Sequence, residues 1–195
     1  MTPYPPNRRR GVPARGVTLI ELMVAIAVLA IIAALAVPSF RDFRERSVVR
    51  GAAEDLVGQI ANYRLEAVRR NRALNLSFGG TPPTSTWCLG AVVGNAACNC
   101  VTGSPACAVG TFPNDGAASL RGARLIDWSG FGTGQSFVFD PSTGTLTSAG
   151  DAGSVTIASP TPALNYQLRI DVNALGRVSV CIPAGAKALP GYQAC

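Results

Sequence analysis

Residues 17–40, VTLIELMVAIAVLAIIAALAVPSF, decide how the rest of the chain is read. The run from Leu22 through Val37 is apolar without interruption. As a helix rising about 1.5 Å per residue, the segment approaches the roughly 30 Å of bilayer hydrocarbon, so it can span a membrane. A cleaved secretory signal peptide also places basic residues before an apolar stretch, but that stretch runs to only about 7–15 residues. Here it is longer, and periodic helical sequence follows directly.

Glu21 is the one charged residue in this segment. An ionised carboxylate in hydrocarbon is costly unless it is neutralised, paired or able to snorkel to the headgroups. Snorkelling is one reading. The other starts from Arg15 and Gly16, which precede the apolar run. Cleavage between Gly16 and Val17 creates a positive amine four residues from Glu21, and that amine can neutralise the acid.

The stretch RGVTLIELMVAIAVLAIIAALAVPSF resembles the class III signal of type IV pilins and pseudopilins, in which a basic leader ending in Gly precedes an apolar helix with a T-L-I-E-L start. The resemblance implies a leader over residues 1–16, removed by a prepilin peptidase after Gly16, and N-methylation of Val17. It also implies an inner-membrane and assembly helix over 17–40, with Glu21 setting subunit registration. Val17 stands where Phe is commoner. Pro38 matches a familiar pilin helix kink, in keeping with its missing N–H.

Beyond the span, Val49, Ala53, Leu56, Ile60, Tyr63 and Ala67 recur at three- and four-residue intervals among Arg and Glu, which predicts an amphipathic continuation over 41–72. A rod from Val17 to about Arg70 extends roughly 80 Å. Arg69, Arg70 and Arg72 fall near its C-terminus, where cations suit the helix dipole; phosphate binding is the alternative.

From Ala73 the period becomes two. Leu74, Leu76 and Phe78 alternate with polar residues, as do Tyr166, Leu168, Ile170 and Val172, and then Val178, Val180 and Ile182. Such alternation marks strands with one buried face. QSFVFDPSTGTLTSAG reads as a strand, a turn and a returning strand, and SVTIAS as another. Thr81 to Phe131 is loosely patterned. The expected fold is α+β: a long N-terminal transmembrane and amphipathic helix packed on a mostly antiparallel β-sheet domain with disulfides, residues 73–195.

FVFDPSTGTLTSAG, SVTI and LRIDVNALGRVSV resemble the GspH/FimT group of minor pseudopilins and minor pilins, which includes FimU. The resemblance implies a subunit incorporated into, or priming, a type IV pilus or type II secretion pseudopilus. Its partners are other major and minor pilins or pseudopilins. Before assembly it sits in the inner membrane with its C-terminal domain periplasmic; afterwards it resides in a cell-surface pilus or a periplasmic pseudopilus. Some FimT-like proteins bind DNA through a G-R-x-R motif. In GRVS, Arg177 matches its first Arg, and Ser179 replaces the second.

Cys88, Cys98, Cys100, Cys107, Cys181 and Cys195 form an even set, all downstream of the span, suited to as many as three disulfides in an oxidising compartment. Fifteen pairings are open, with Cys181 and the terminal Cys195 as natural partners. Four Arg precede the span and Arg41, Arg44, Arg46 and Arg50 follow it, so charge leaves orientation undecided. The cysteines point the C-terminal domain outward.

The C-x-C at Cys98–Cys100 raises zinc as an alternative, opposed by the complete lack of His in the chain. That lack also removes His-dependent triads and general bases, and there is no G-x-S-x-G or phosphate loop. No enzyme, catalytic residue, metal or cofactor is implied. The +6 formal charge resides before residue 73; from Ala73 onward five basic residues balance five acidic ones, which gives a nucleic-acid surface little support there. A generic membrane-anchored periplasmic domain is the plainer alternative.

Overall fold

The computed structural model describes residues 16–113 and 120–195, and of residues 36–38 the helical backbone alone. The leader assigned to residues 1–16 thus lies outside the described residues, apart from Gly16. The chain divides into two compact units, Met1–Phe40 and Arg41–Cys195.

Helix α1 spans Leu19–Arg70, and its helical backbone continues through Pro38. Its C-terminus closes as a Schellman motif. Asn71 takes a left-handed φ of 49°, and the Asn71 and Arg72 N–H groups donate to the carbonyls of Val68 and Ala67. The expected Arg cluster meets a carboxylate here: Arg69 Nε and Arg70 Nε donate to Glu66 at 2.8 and 2.5 Å. These bonds hold the Glu66 carboxyl down to about 2.

Eight strands follow: β1 (Leu74–Gly79), β2 (Cys88–Val93), β3 (Gly110–Phe112), β4 (Arg124–Ser129), β5 (Ser136–Phe139), β6 (Gly153–Ala158), β7 (Gln167–Val172) and β8 (Val178–Cys181). They form two four-stranded sheets, in the orders β3-β2-β1-β5 and β4-β6-β7-β8, in which every strand pair is antiparallel. Val49, Ala52, Ala53, Leu56, Ile60, Tyr63 and Ala67 of α1 join Leu74, Leu76 and Phe137 of one sheet and Val155, Leu168 and Ile170 of the other in one continuous core. The amphipathic stripe thus supplies the apolar surface on which both sheets close.

Three details differ from expectation. The polar face of β1 is not in water. Asn75 and Ser77 are each 2% exposed and bonded to one another, and their remaining bonds run to Asn95 and Cys98 of the loop after β2. The strand expected after the Pro141–Gly144 turn shrinks to a bridge between Phe139 and Leu146. Asp140 Oδ1 collects the Ser142 and Thr143 N–H groups and hydroxyls, which winds the chain locally, and Ala149–Asp151 then forms a short 3-10 turn. Finally, the stretch from Thr81 to Phe131 contains β2, β3 and β4.

The cysteines pair as Cys88–Cys100, Cys98–Cys107 and Cys181–Cys195. Both thiols of the C-x-C are therefore consumed, which removes the zinc alternative. The first bridge straps the loop of residues 98–107 to β2, and the second closes that loop on itself. The third fixes the tail beside the end of β8, where Ile182 N–H donates to Gln193 and Cys195 N–H to Ile182. Leu189 of the tail enters the core, and Arg50 of α1 donates to the Pro190 carbonyl at 2.6 Å.

A polar clamp joins α1 to the loops that follow β6 and β8. Asp42 accepts hydrogen bonds from the Tyr166 hydroxyl at 2.6 Å, from Lys187 Nζ at 3.2 Å and from Arg46. One turn on, Glu45 accepts from the Thr161 N–H and hydroxyl.

Candidate functional site

The N-terminal part of α1 is apolar around its whole circumference, with the large residues from Val17 to Leu35 between 49 and 76% exposed. A helix of that kind belongs in lipid or among other apolar helices. Among the described residues it is the one helix long and apolar enough to cross a membrane.

Thr18 caps this helix. Its Oγ1 accepts the Glu21 backbone N–H at 3.3 Å, which places Glu21 at the third helical position. Sequence reasoning missed Thr18, although T-x-x-E is the signature of a capping box. Capping explains the helix start but leaves the Glu21 side chain without a salt-bridge partner among the described residues, on an exposed apolar helix. The positive end of the helix dipole favours a carboxylate here and disfavours an amine. An amine released at Val17 would therefore gain by meeting a carboxylate. Gly16 and Val17 both lie outside the helix, exposed, ahead of the Thr18 cap. A protease can reach peptide of that sort without unwinding α1.

Arg177 occupies a separate region, the turn between β7 and β8. Asn173 Oδ1 accepts the N–H groups of Leu175 and Arg177 and fixes the turn, leaving the Arg177 side chain exposed. A second arginine reaches the same turn from α1: Arg64 Nε donates to the Gly144 carbonyl at 2.6 Å and lies against Gly176. Nothing in the sequence pattern signalled Arg64, because it is brought there by the packing of α1 on the sheets.

The model of the prokaryotic N-terminal methylation motif matches residues 13–37. Among solved structures, the type IV minor pilin FimU of Pseudomonas aeruginosa strain PAO1 is similar at 18% identity and a TM-score of 0.47, covering 71% of this chain and 91% of its own. Comparison with curated proteins gives no significant match. The model described as type II transport protein GspH matches residues 52–176, from the buried stripe of α1 to the turn that carries Arg177, and on that match the chain belongs to the GspH family of pilin-like proteins.

Proposed function

We propose that the protein is a minor type IV pilin, inserted into or priming a pilus through its N-terminal helix after cleavage between Gly16 and Val17. The single observation that carries this reading is Glu21, a carboxylate on the otherwise apolar, exposed N-terminal stretch of α1, four residues from the amine that cleavage would release. In a bundle of such helices, Glu21 of one subunit pairs with the methylated Val17 amine of a neighbour. A misplaced register leaves a charge buried without its counter-ion, which is strongly destabilising. The acid thus selects register, and the surrounding apolar surface supplies the attraction. The C-terminal domain faces the periplasm before assembly, as its three disulfides favour.

The test is incorporation. Glu21→Ala is expected to leave the domain folded and its disulfides formed, yet to remove the protein from sheared filaments. Mass spectrometry of the native chain is expected to show a methylated N-terminus at Val17. Normal recovery of Glu21→Ala in filaments, or retention of residues 1–16 in a working fibre, overturns the reading. Service in a type II secretion pseudopilus uses the same residues, and neighbouring genes for secretion or for pilus minor subunits distinguish the two.

DNA binding is a second reading, favoured by the placement of Arg64 beside the Arg177 turn. Arg64, from a different element, partly replaces the cation lost at Ser179. A salt-dependent mobility shift of DNA that Arg177→Ala abolishes supports it; no shift at low salt rejects it.

A further inference from the structure

The cross-linked loop does more than cover β1: between it, the end of β1 and Trp128 of β4 it leaves a groove of about 520 Å³. Phe78, Thr81, Asn99, Thr102, Trp128 and Gln135 are among its lining residues, and no lining residue carries a charge. Its volume lies in the range of small-ligand sites, and its mixture of aromatic surface with a few neutral polar groups is the usual composition of such sites.

Trp128 is half-buried. Its ring sits 6.2 Å from that of Phe78, which packs in turn on Phe131 at 5.2 Å, so the indole is backed by a fixed aromatic cluster. Asn99 Oδ1 is committed to the Val101 and Thr102 N–H groups, whereas its amide nitrogen has no protein partner among the described residues. The Gln135 side-chain amide likewise has none. Its backbone is held at φ 55°, a conformation disfavoured for a residue with a side chain, by the Gln135 N–H to Gly132 bond and the Phe78 N–H to Gln135 bond. The Gln135 amide is thus carried on a fixed backbone and is free to bond a ligand in the groove.

We propose that this groove binds a neutral saccharide. The negative face of an indole attracts the positively polarised C–H groups of a sugar ring. The Gln135 and Asn99 amides and the threonine hydroxyls match sugar hydroxyls, which both donate and accept. An anionic ligand would enter without a counter-charge. The two disulfides hold the loop wall in place, so little ordering is required on binding.

The protein contains two tryptophans, and Trp87 is completely buried, so a saccharide-induced change in emission reports Trp128. The full chain, in a detergent without a sugar headgroup, is titrated with cellohexaose, maltohexaose and chitohexaose, and with a uronic acid hexamer as the charged counterpart. At least one neutral hexasaccharide is expected to give a saturable change, with the uronic acid hexamer clearly weaker. Gln135→Gly suits the left-handed backbone, so it is expected to keep the unfolding midpoint while weakening binding about tenfold. Calorimetry with Trp128→Ala is expected to show no binding heat. The proposal is overturned if no neutral hexasaccharide binds, if the uronic acid hexamer binds as tightly, if a neutral extended peptide binds where the sugars do not, or if Gln135→Gly keeps wild-type affinity.

Discussion

Two strand glycines determine how closely the cysteine-rich loop lies on its sheet. A Cβ at Gly79 would stand 2.9 Å from the sulfurs of both Cys88 and Cys100, and one at Gly90 would stand 2.2 Å from Cys107 Sγ. A disulfide cannot swing away as a flexible side-chain end can. Gly90→Ala is therefore expected to destabilise the domain by about 1–3 kcal/mol, read as a lower urea midpoint at unchanged slope. At the clamp, the Asp42 carboxyl is held below its ordinary range chiefly by the Tyr166 hydroxyl, with Lys187 and Arg46 assisting against the cost of burial. Because its folded value is the lower one, its contribution is complete above the unfolded carboxylate range near about pH 4 and is lost as pH falls through the folded value. Asp42→Asn is expected to lower the melting temperature at neutral pH and to make the acid limb of the stability curve shallower. An unchanged acid limb would show that the clamp contributes nothing to folding.

At the scale of elements, the C-terminal tail is held by one covalent bond and a short run of hydrogen bonds. In the chain-entropy picture, closing a loop of this length stabilises by about 3 kcal/mol. The double variant Cys181→Ser/Cys195→Ser is expected to lose roughly that amount and to be clipped after Ile182 by a protease that spares the native domain. Equal proteolytic resistance would assign the order of the tail to Leu189 and the Arg50 contact instead. The elements differ in how plainly the sequence announces them. α1 and β7 are legible because each buries one face, and their apolar residues repeat at the period of the helix or strand. β2 is buried through Cys88–Ala91 without a polar alternate, so C-L-G-A-V-V offers no period-two signal. β4 loses its alternation at the irregularity between Leu125 and Asp127. The face of β1 holding Asn75 and Ser77 looks solvent-facing until the disulfide loop covers it, a long-range event invisible in local pattern. For the candidate site, Glu21 stands out because a charge in an apolar run conflicts with its surroundings, and Gly16 and Val17 through the resemblance of their stretch to the pilin signal; Arg64 and the Trp128 groove emerge only after distant segments have packed.

On the scale of the whole molecule, the two units divide the physical work. Every residue of the hydrophobic core falls within Arg41–Cys195, as do all three disulfides and the Asp42 and Glu45 clamps. The apolar residues of the first unit are exposed and contribute nothing to that core. A chain beginning at Arg41 is accordingly expected to be a soluble monomer that unfolds in one cooperative step, with oxidised cysteines and near-UV circular dichroism matching that of the full protein. The full chain is expected to require detergent or membrane. Gel filtration and thermal unfolding of the two forms side by side check both statements. Aggregation of the shortened chain, or a non-cooperative melt, would mean that the segment before Arg41 is part of the folding unit, and the separation of anchor from domain would fail.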